Sequence, residues 1–369
     1  MNAELNKLLE YCEQIINLKE IEKKHARAIN SLTFKDVDMP CVKISYPHPK
    51  FKKYSMEEIH QDIEKMMYNE LVDCLPQIEV ADGGLPTIRA NYGVGILPSV
   101  FGAKCKIING NMPWVNELSK KELSSIISAG VPDYKQGFGQ KVIDTYAFFA
   151  EKLKNYPKCS KVIKFYHPDY QGAFDVAHLL FGSDIYMELY DDPDFVNDLM
   201  QLITQTYIYS MNKVKPYLND EIQGFVYHWG HLFPGKIVLR NDSAVNLSKD
   251  MFEEFVIPYD TRIAQEFGGA SVHFCGRADQ WVFELAKEEN VLGYNCGHMP
   301  NVVFGQEYLD FIKPAFYDKN KPNVAYTLTR NDVENFDFKK YKTGLTYNLW
   351  ASNKEDAEKL IERIREKSN

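Results

Sequence analysis

The sequence predicts an α/β protein, a (β/α)8 barrel over residues 81–369 with an N-terminal helical extension over residues 1–80. From residue 160 onward, short apolar segments typical of strands alternate with longer segments of helical periodicity, which is the pattern of parallel β/α units. Eight segments have strand character, and eight parallel strands close a barrel of this kind. These segments are Leu85–Asn91, Lys161–Tyr166, Gly224–Trp229, Ile237–Asn241, Val272–Cys275, Leu292–Cys296, Val324–Thr329 and Gly344–Leu349.

The N-terminal extension is predicted to contain two helices and one further strand. Residues 3–32 carry apolar side chains at helical spacing and charges on the opposite face. Cys41–Tyr46 alternates as a strand does and is ended by Pro47. Ser55–Leu75 has helical character, with Ser55 as its N-cap. We expect these helices to pack against the outside of the barrel.

The segment Leu85–Ala103 combines a buried strand with a loop that contains several glycines. Glycine allows a close approach of the backbone, so this loop is suited to a bound molecule, although a plain strand–loop connection has the same composition. Asn91 and Tyr92 stand where the strand is expected to end. With Trp229, they are the candidate cofactor-binding residues.

The helices of the barrel are marked by their end signals. Asp192 and Pro193 suit the N-cap and the first turn of a helix that extends to about Lys213. Ser248 is the expected N-cap of a helix that ends at the double glycine after Phe267. Lys354–Glu366 is predicted to be the closing helix.

Composition excludes several classes of function. The net charge is −8, so the chain as a whole has no basic field for a nucleic acid or an anionic membrane. Its apolar runs are shorter than the roughly 20 residues that span a bilayer. The N-terminus is polar and acidic, without the pattern of a signal peptide. The seven cysteines are scattered, which favours a reduced, cytoplasmic setting.

The segment Ser271–Cys275 is the clearest sign of chemistry in the sequence. Alternate residues of a strand point to the same face, so His273 and Cys275 should project together, and Gly276 lets the chain turn after them. An imidazole and a thiolate side by side are two of the three protein ligands of a catalytic zinc site. Alternatively, the two side chains pack and hydrogen-bond at the mouth of the barrel.

Other polar side chains fall at the same ends of predicted strands, where the active site of a barrel is built. Asp242 is a candidate metal ligand, proton acceptor or substrate-binding group, or else a loop residue that caps backbone amides. His228 is a candidate catalytic residue, or else a core histidine. Arg277 suits a bidentate contact with a substrate carboxylate, or a surface ion pair. Tyr166 and His167 complete the candidate catalytic residues at this rim.

Two longer segments resemble the uroporphyrinogen decarboxylase superfamily, which includes zinc- and corrinoid-dependent methyltransferases. Residues 239–281 read LRNDSAVNLSKDMFEEFVIPYDTRIAQEFGGASVHFCGRADQW, and residues 171–200 read QGAFDVAHLLFGSDIYMELYDDPDFVNDLM. The resemblance covers roughly residues 80–367 and implies a TIM barrel. His273 and Cys275 match the His-x-Cys of the methyltransferase branch. The downstream cysteine of that branch has no counterpart in LTYNLWASNKED, residues 345–356.

Cys296 is the remaining cysteine after Cys275, at the end of the next predicted strand. Since neighbouring strand ends of a barrel are close together, His273, Cys275 and Cys296 form the predicted metal-ligand set, with Asp242 or His298 as substitutes.

The resemblance implies a methyltransferase that moves a methyl group between a small substrate or thiol and a corrinoid on a separate protein, with the assistance of zinc. The alternative is a metal-free, decarboxylase-like lyase of tetrapyrrole metabolism that works through Asp and Arg residues. The decarboxylase branch has an Arg-rich N-terminal segment, which MPCVKISYPHPK, residues 39–50, does not reproduce. A third possibility is a barrel that binds a ligand without catalysis.

Overall fold

The computed structural model describes residues 3–108, 110–297 and 305–368, and these form an α/β fold built on parallel strands. Their strands are β1 Cys41–Ser45, β2 Thr87–Ile88, β3 Cys105–Lys106, β4 Trp114–Val115, β5 Lys164–Phe165, β6 Glu221–Ile222, β7 Phe225–His228, β8 His231–Pro234, β9 Ile237–Arg240, β10 Ala270–Cys275, β11 Val291–Gly297, β12 Asn323–Thr327 and β13 Leu345–Trp350.

The main sheet has six parallel strands in the order β1-β13-β12-β11-β10-β9. A second parallel pair joins β2 to β5. Two small antiparallel units remain, the hairpin β3-β4 and the three-stranded β6-β7-β8. Parallel strands connected through helices confirm the α/β class that the sequence predicts.

The main sheet is not closed. At one edge, β1 faces a loop: Gly83 donates its backbone N–H to Val42 O at 2.6 Å, and Ile44 donates to the Asp82 carboxylate at 2.9 Å. At the other edge, Val238 of β9 donates to His167 Nε2 at 3.0 Å. Side-chain and loop groups therefore occupy the positions at which a neighbouring strand would pair.

One of the eight predicted strands belongs elsewhere. Gly224–Trp229 was expected in the barrel, but β7 pairs antiparallel with β8, from Phe225 opposite Pro234 to His228 opposite His231. The strand predicted near Cys41 takes its place in the sheet, since β1 runs parallel to β13. The division of the chain at residue 80 stays a prediction.

The helices surround the strands. They are α1 Ala3–Ile15, α2 Leu18–Leu32, α3 Met56–Gln61, α4 Ile63–Cys74, α5 Pro76–Glu79, α6 Ile96–Val100, α7 Lys120–Ala129, α8 Gly139–Leu153, α9 Pro157–Val162, α10 Ala173–Phe181, α11 Ile185–Asp191, α12 Pro193–Val214, α13 Lys249–Phe255, α14 Ile257–Phe267, α15 Val282–Leu285, α16 Gly305–Ile312, α17 Arg330–Asn335 and α18 Lys354–Ser368. Across the described ranges, none of them combines the length and apolarity needed to cross a bilayer.

End signals fix where these helices begin and stop. Ser55 caps α3 in a capping box with Glu58, and Asp192 caps α12 by accepting from Phe195 N, as predicted. The single helix predicted over residues 3–32 is wrong, because the Asn17 side chain accepts from backbone N–H groups and starts a second helix.

The core has two parts. The larger one lies between the strands and the helices. The smaller one brings residues of the β7-β8 hairpin, such as Val226 and Phe233, against strand residues Val238, Val324 and Cys41. The hairpin therefore packs against several strands of the main sheet. Its two-residue turn, Trp229-Gly230, is directed toward the site described below.

Candidate functional site

Three potential metal ligands converge at the carboxyl ends of β9 and β10. Atoms of Asp242, His273 and Cys275 all lie within 4.8 Å of one another. His273 Nε2 is 3.1 Å from Asp242 Oδ1 and 3.3 Å from Cys275 Sγ. The strand period of two brings the imidazole and the thiol to one face, as the sequence predicts, and the chain that follows β9 supplies the carboxylate.

The tautomer of His273 is set by Asn295. The Asn295 amide donates to the carbonyls of Val324 at 2.5 Å and Ala325 at 3.3 Å, which turns its oxygen toward the imidazole. That oxygen lies 2.5 Å from His273 Nδ1, so Nδ1 carries the proton. In the neutral imidazole, Nε2 then has a lone pair directed at the cluster, as in histidines that bind a metal and donate their other N–H to a neighbour.

Asp242 is fixed by backbone contacts. Its Oδ1 accepts from Cys275 N at 2.8 Å. Its own N–H and that of Ser243 donate to the buried Asp175 carboxylate at 2.7 and 2.8 Å. Burial raises the pKa of the Asp242 carboxyl, but when His273 is protonated on both ring nitrogens its hydrogen bond and charge outweigh burial and lower this pKa to about 2. Asp242 is therefore an anion at neutral pH.

The side-chain atoms of Asp242, His273 and Cys275 that converge here are better matched to a shared cation than to contacts with one another. Burial and the Asp242 charge raise the pKa of the Cys275 thiol. Asp242 Oδ1 faces the His273 lone pair with no proton between them in this tautomer. A zinc ion takes nitrogen, sulfur and oxygen donors of this kind, with a fourth position left for a substrate.

Gly297 keeps space beside the cluster. A Cβ on this residue would lie 2.5 Å from His273 Cε1 and 2.7 Å from Cys275 Sγ, closer than carbon and sulfur can pack. The absence of a side chain on β11 therefore leaves room for the ligands of an ion. The residues present fit zinc in both donor type and space.

Cys296 does not join the cluster, which corrects the predicted ligand set. A register shift at the start of the β10-β11 pair places Cys296 beside Phe274, and Asn295 beside His273. Neighbouring residues in register share a face, so Cys296 points to the opposite side from His273 and Cys275. Its thiol is buried, with Asn323 Nδ2 at 3.9 Å. Asp242 occupies the third place, and His298 lies outside the described residues.

Trp229 forms a wall beside the cluster. Its ring centroid lies 5.0 Å from that of His273, and the Arg240 guanidinium carbon lies 4.6 Å from the indole centroid. Trp229 has φ 49° and Gly230 has φ 77°. Two consecutive positive φ angles make a tight hairpin turn that a tryptophan rarely adopts.

Behind Trp229 lies a buried charge network that the sequence did not reveal. Arg240 forms an ion pair with Asp169, and Arg89 reaches the same carboxylate at 3.1 Å. Arg240 also donates to His228 Nε2 at 2.8 Å. Burial, together with the charge of Arg89, lowers the pKa of Arg240 to about 9. Two guanidiniums share one carboxylate here.

The two other predicted histidines lie in this interior. Burial lowers the pKa of His228 well below its usual range, so it is neutral and holds Arg240. His167 has both ring nitrogens engaged, Nδ1 with Pro168 O at 2.9 Å and Nε2 with Val238 N. His167 therefore bridges the edge of β9 and has no nitrogen free for a substrate, which corrects the expectation of a catalytic role.

The remaining predicted residues separate into two groups. Asn91 and Tyr166 line one cavity together with Trp229. Tyr92 does not join them, because its hydroxyl bonds to Thr145 at 2.9 Å in another part of the structure. The Arg277 side chain is half exposed and paired with its neighbour Asp279 at 2.7 Å. This is the surface ion pair that the sequence offered as the alternative to a substrate contact.

Some of these missed residues had a signal in the sequence. Asp175 is a lone acid within the apolar segment AFDVAHLLF, and Asn295 is a polar residue inside an apolar strand. Arg240 closes the apolar segment IVLR. A charge or amide within an apolar segment has to find a partner when it is buried, so each position pointed to a buried polar contact.

Comparison with known proteins identifies the fold. No protein-family model matches the chain, and no curated protein matches it by sequence. Among solved structures, the chain is similar to a methyltransferase from Methanosarcina mazei, with a TM-score of 0.63 and 15% sequence identity. The superposition covers 92% of this chain and 97% of that one. At this identity, the similarity shows a common fold.

Proposed function

We propose that the chain is a zinc-assisted methyltransferase of the uroporphyrinogen decarboxylase superfamily. It moves a methyl group between a small substrate or thiol and a corrinoid on a partner protein. The observation that carries this proposal is the convergence of Asp242, His273 and Cys275 at the carboxyl ends of two adjacent parallel strands. The shared fold with a methyltransferase and the resemblance of residues 171–200 and 239–281 support it.

Each residue of the cluster has a distinct task. Cys275 and Asp242 provide the anionic ligands, and Asn295 holds the imidazole of His273 in the ligating tautomer. Bound zinc would lower the pKa of a substrate thiol so that it is a thiolate near neutral pH. Trp229 closes one side of the site, which limits the directions from which a substrate enters.

The methyl transfer involves two molecules, the substrate thiolate and the methyl-corrinoid. With a methyl-corrinoid as donor, the thiolate sulfur would form the new S–C bond as the Co–C bond broke, and the electron pair of that bond would remain on cobalt. Because the carboxyl ends of the strands hold the cluster, the corrinoid would have to approach from that face.

Methylcobalamin and small thiols test the proposal with the full chain. We expect zinc-loaded protein to convert methylcobalamin and a thiol such as 2-mercaptoethanol to the methyl thioether, detected by mass spectrometry. A Cys275→Ser variant should lose this activity and a Cys105→Ser variant should keep it, because Cys105 is not in the cluster and its thiol contacts the Gly95 carbonyl from the β3-β4 hairpin. Absence of thioether across a panel of thiols would refute the proposal. Metal-independent turnover of a porphyrinogen would support the lyase alternative instead.

The arrangement of the strands also favours a barrel in which two pairs of neighbouring strands do not hydrogen-bond as a ladder. We infer that β1, β2, β5 and β9 to β13 form one eight-stranded unit. The β1/β2 and β5/β9 seams lack strand ladders, and contacts such as Gly83 N to Val42 O and Gly172 N to Arg240 O join them instead. This organisation is consistent with the active-site position proposed above.

A further inference from the structure

We propose that the cavity at the β1/β2 seam is a subsite for an anionic group of a small molecule, bound through Lys43 and Arg89. The role of this subsite in holding one end of the substrate rests on the proposed function. The binding of an anion there does not depend on that function. The proposed class is a short carboxylate, sulfonate or phosphate ester.

The cavity exists because β1 and β2 do not pair. It has a volume of about 180 Å³. β1 supplies Lys43, β2 and its continuation supply Arg89, and the hairpin turn supplies Trp229. Its full lining is Lys43, Glu70, Asp73, Cys74, Gln77, Thr87, Arg89, Asn91, Tyr166, Trp229 and Gly230.

Within the described part of the chain, no carboxylate forms an ion pair with Lys43. Its Nζ donates to the Trp229 carbonyl at 2.9 Å, which uses one of its three protons. The acids whose charge reaches it are Asp82 and Asp73, and each already has a partner. Asp82 pairs with Lys24 at 2.6 Å, and Asp73 pairs with Lys53 at 2.7 Å. Burial lowers the pKa of the Lys43 amine, as desolvation of an uncompensated ammonium does.

Arg89 adds to this positive charge. It shares Asp169 with Arg240, so one carboxylate is divided between two guanidiniums beside the cavity. Gln171 donates to the same carboxylate at 2.7 Å, which occupies it further. A planar guanidinium has five N–H donors, so Arg89 can bind an anion while it keeps its contact with Asp169.

Two acids line the cavity, Glu70 and Asp73. Asp73 pairs with Lys53, and the Glu70 carboxylate is already engaged by hydrogen bonds. It accepts from Arg89 N at 3.0 Å and from Asn91 Nδ2 at 2.8 Å. Burial raises its pKa, which disfavours its charge. The interior of the seam therefore keeps an excess of positive charge within a chain whose net charge is −8.

Trp229 links the cavity to the cluster. Trp229 lines the cavity, and its ring centroid lies 5.0 Å from that of His273. A small molecule with its anionic end at Lys43 would place its other end at or near the indole. The cavity suits a headgroup with a few carbon atoms, and a tetrapyrrole is far larger than this volume.

Binding is tested with the full chain by ligand-observed NMR and calorimetry. The probes are propionate, ethanesulfonate and inorganic phosphate, with propionamide as the neutral analogue. Each titration is made on zinc-loaded protein and after chelation, so that anions on the metal are distinguished from anions in the cavity. We expect at least one anion, and not propionamide, to bind both forms. Its affinity should fall about tenfold or more in Lys43→Met and in Arg89→Gln.

Lys213→Met is the matched control, because Lys213 is exposed on α12 and should leave binding unchanged. Circular dichroism checks that each variant is folded. If one of the two cavity variants does not fold, the other alone tests the subsite. Binding of no anion to the parent, or equal binding to Lys43→Met and Arg89→Gln, would overturn the subsite. If the cavity binds anions and methyl transfer is absent, only the proposed function is rejected. If methyl transfer occurs and the cavity binds no anion, only the subsite is rejected.

Discussion

Asn295→Leu should weaken zinc binding without removing a ligand. Leucine has a similar volume but cannot accept a hydrogen bond from His273 Nδ1, the atom that lies 2.5 Å from Asn295 Oδ1 in the parent. The imidazole is then free to rotate or to move its proton to Nε2, the atom that faces the cluster. Loss of such a hydrogen bond to a ligating histidine typically reduces metal affinity about 10- to 100-fold, or about 1.4–2.7 kcal/mol.

Asn348→Leu is a matched control for this measurement. Asn348 also bonds a histidine, His231, at 2.8 Å and donates to the Ala325 carbonyl at 3.2 Å, but its histidine is not in the cluster. Both variants lose buried hydrogen bonds, so we expect similar decreases in the free energy of unfolding, about 1–3 kcal/mol. Zinc affinity, measured by competition with a chromophoric chelator, should fall in Asn295→Leu alone. An unchanged affinity, or an equal loss in Asn348→Leu, would refute the tautomer assignment.

Three further predictions follow from the site and its surroundings. Cys296→Ser should retain the zinc content of the parent by plasma mass spectrometry, because its thiol lies on the opposite face; a loss as large as that of Cys275→Ser would contradict the register. Gly297→Ala should lower zinc affinity in equilibrium dialysis, since the new Cβ would lie 2.5 Å from His273 Cε1, and an unchanged affinity would show that the site has other room. Burial raises the pKa of Asp260 to about 7, against about 3.9 when unfolded, so its contribution to stability is present below pH 4 and is lost as the pH rises through 7. Between pH 5 and pH 8, urea unfolding should therefore show a smaller loss of stability for Asp260→Asn than for the parent, and equal losses would contradict the assignment.

The pairing of His273 with Cys275 could be predicted because it depends only on the period of a strand. The exclusion of Cys296 could not, because it depends on the register between two strands. Ala270 pairs with Val291, but Ser271 pairs with Gly293, one residue further on. Without this irregularity, Cys275 and Cys296 would be neighbours on one face, as the sequence suggested. A shift of one residue reverses every side chain that follows it.

The hairpin was misread for a related reason. Phe225–His228 is buried along its whole length, and such an apolar segment has the same composition in an antiparallel hairpin as in a parallel strand. The turn at Trp229-Gly230 distinguishes the two, but its sequence does not show it. Tryptophan occupies a conformation there that normally favours glycine or asparagine. The α/β class could be predicted from the sequence. Which strands belong to the main sheet could not, because that depends on tertiary contacts.

Anomalous scattering at the zinc absorption edge, from crystals of the full chain grown with zinc, tests the central claim most directly. We expect one peak at the cluster, about 2.0–2.3 Å from His273 Nε2, Cys275 Sγ and an Asp242 oxygen. A map with no peak among these three side chains, or with zinc bound only elsewhere on the chain, would contradict the metal centre and the methyltransferase mechanism built on it.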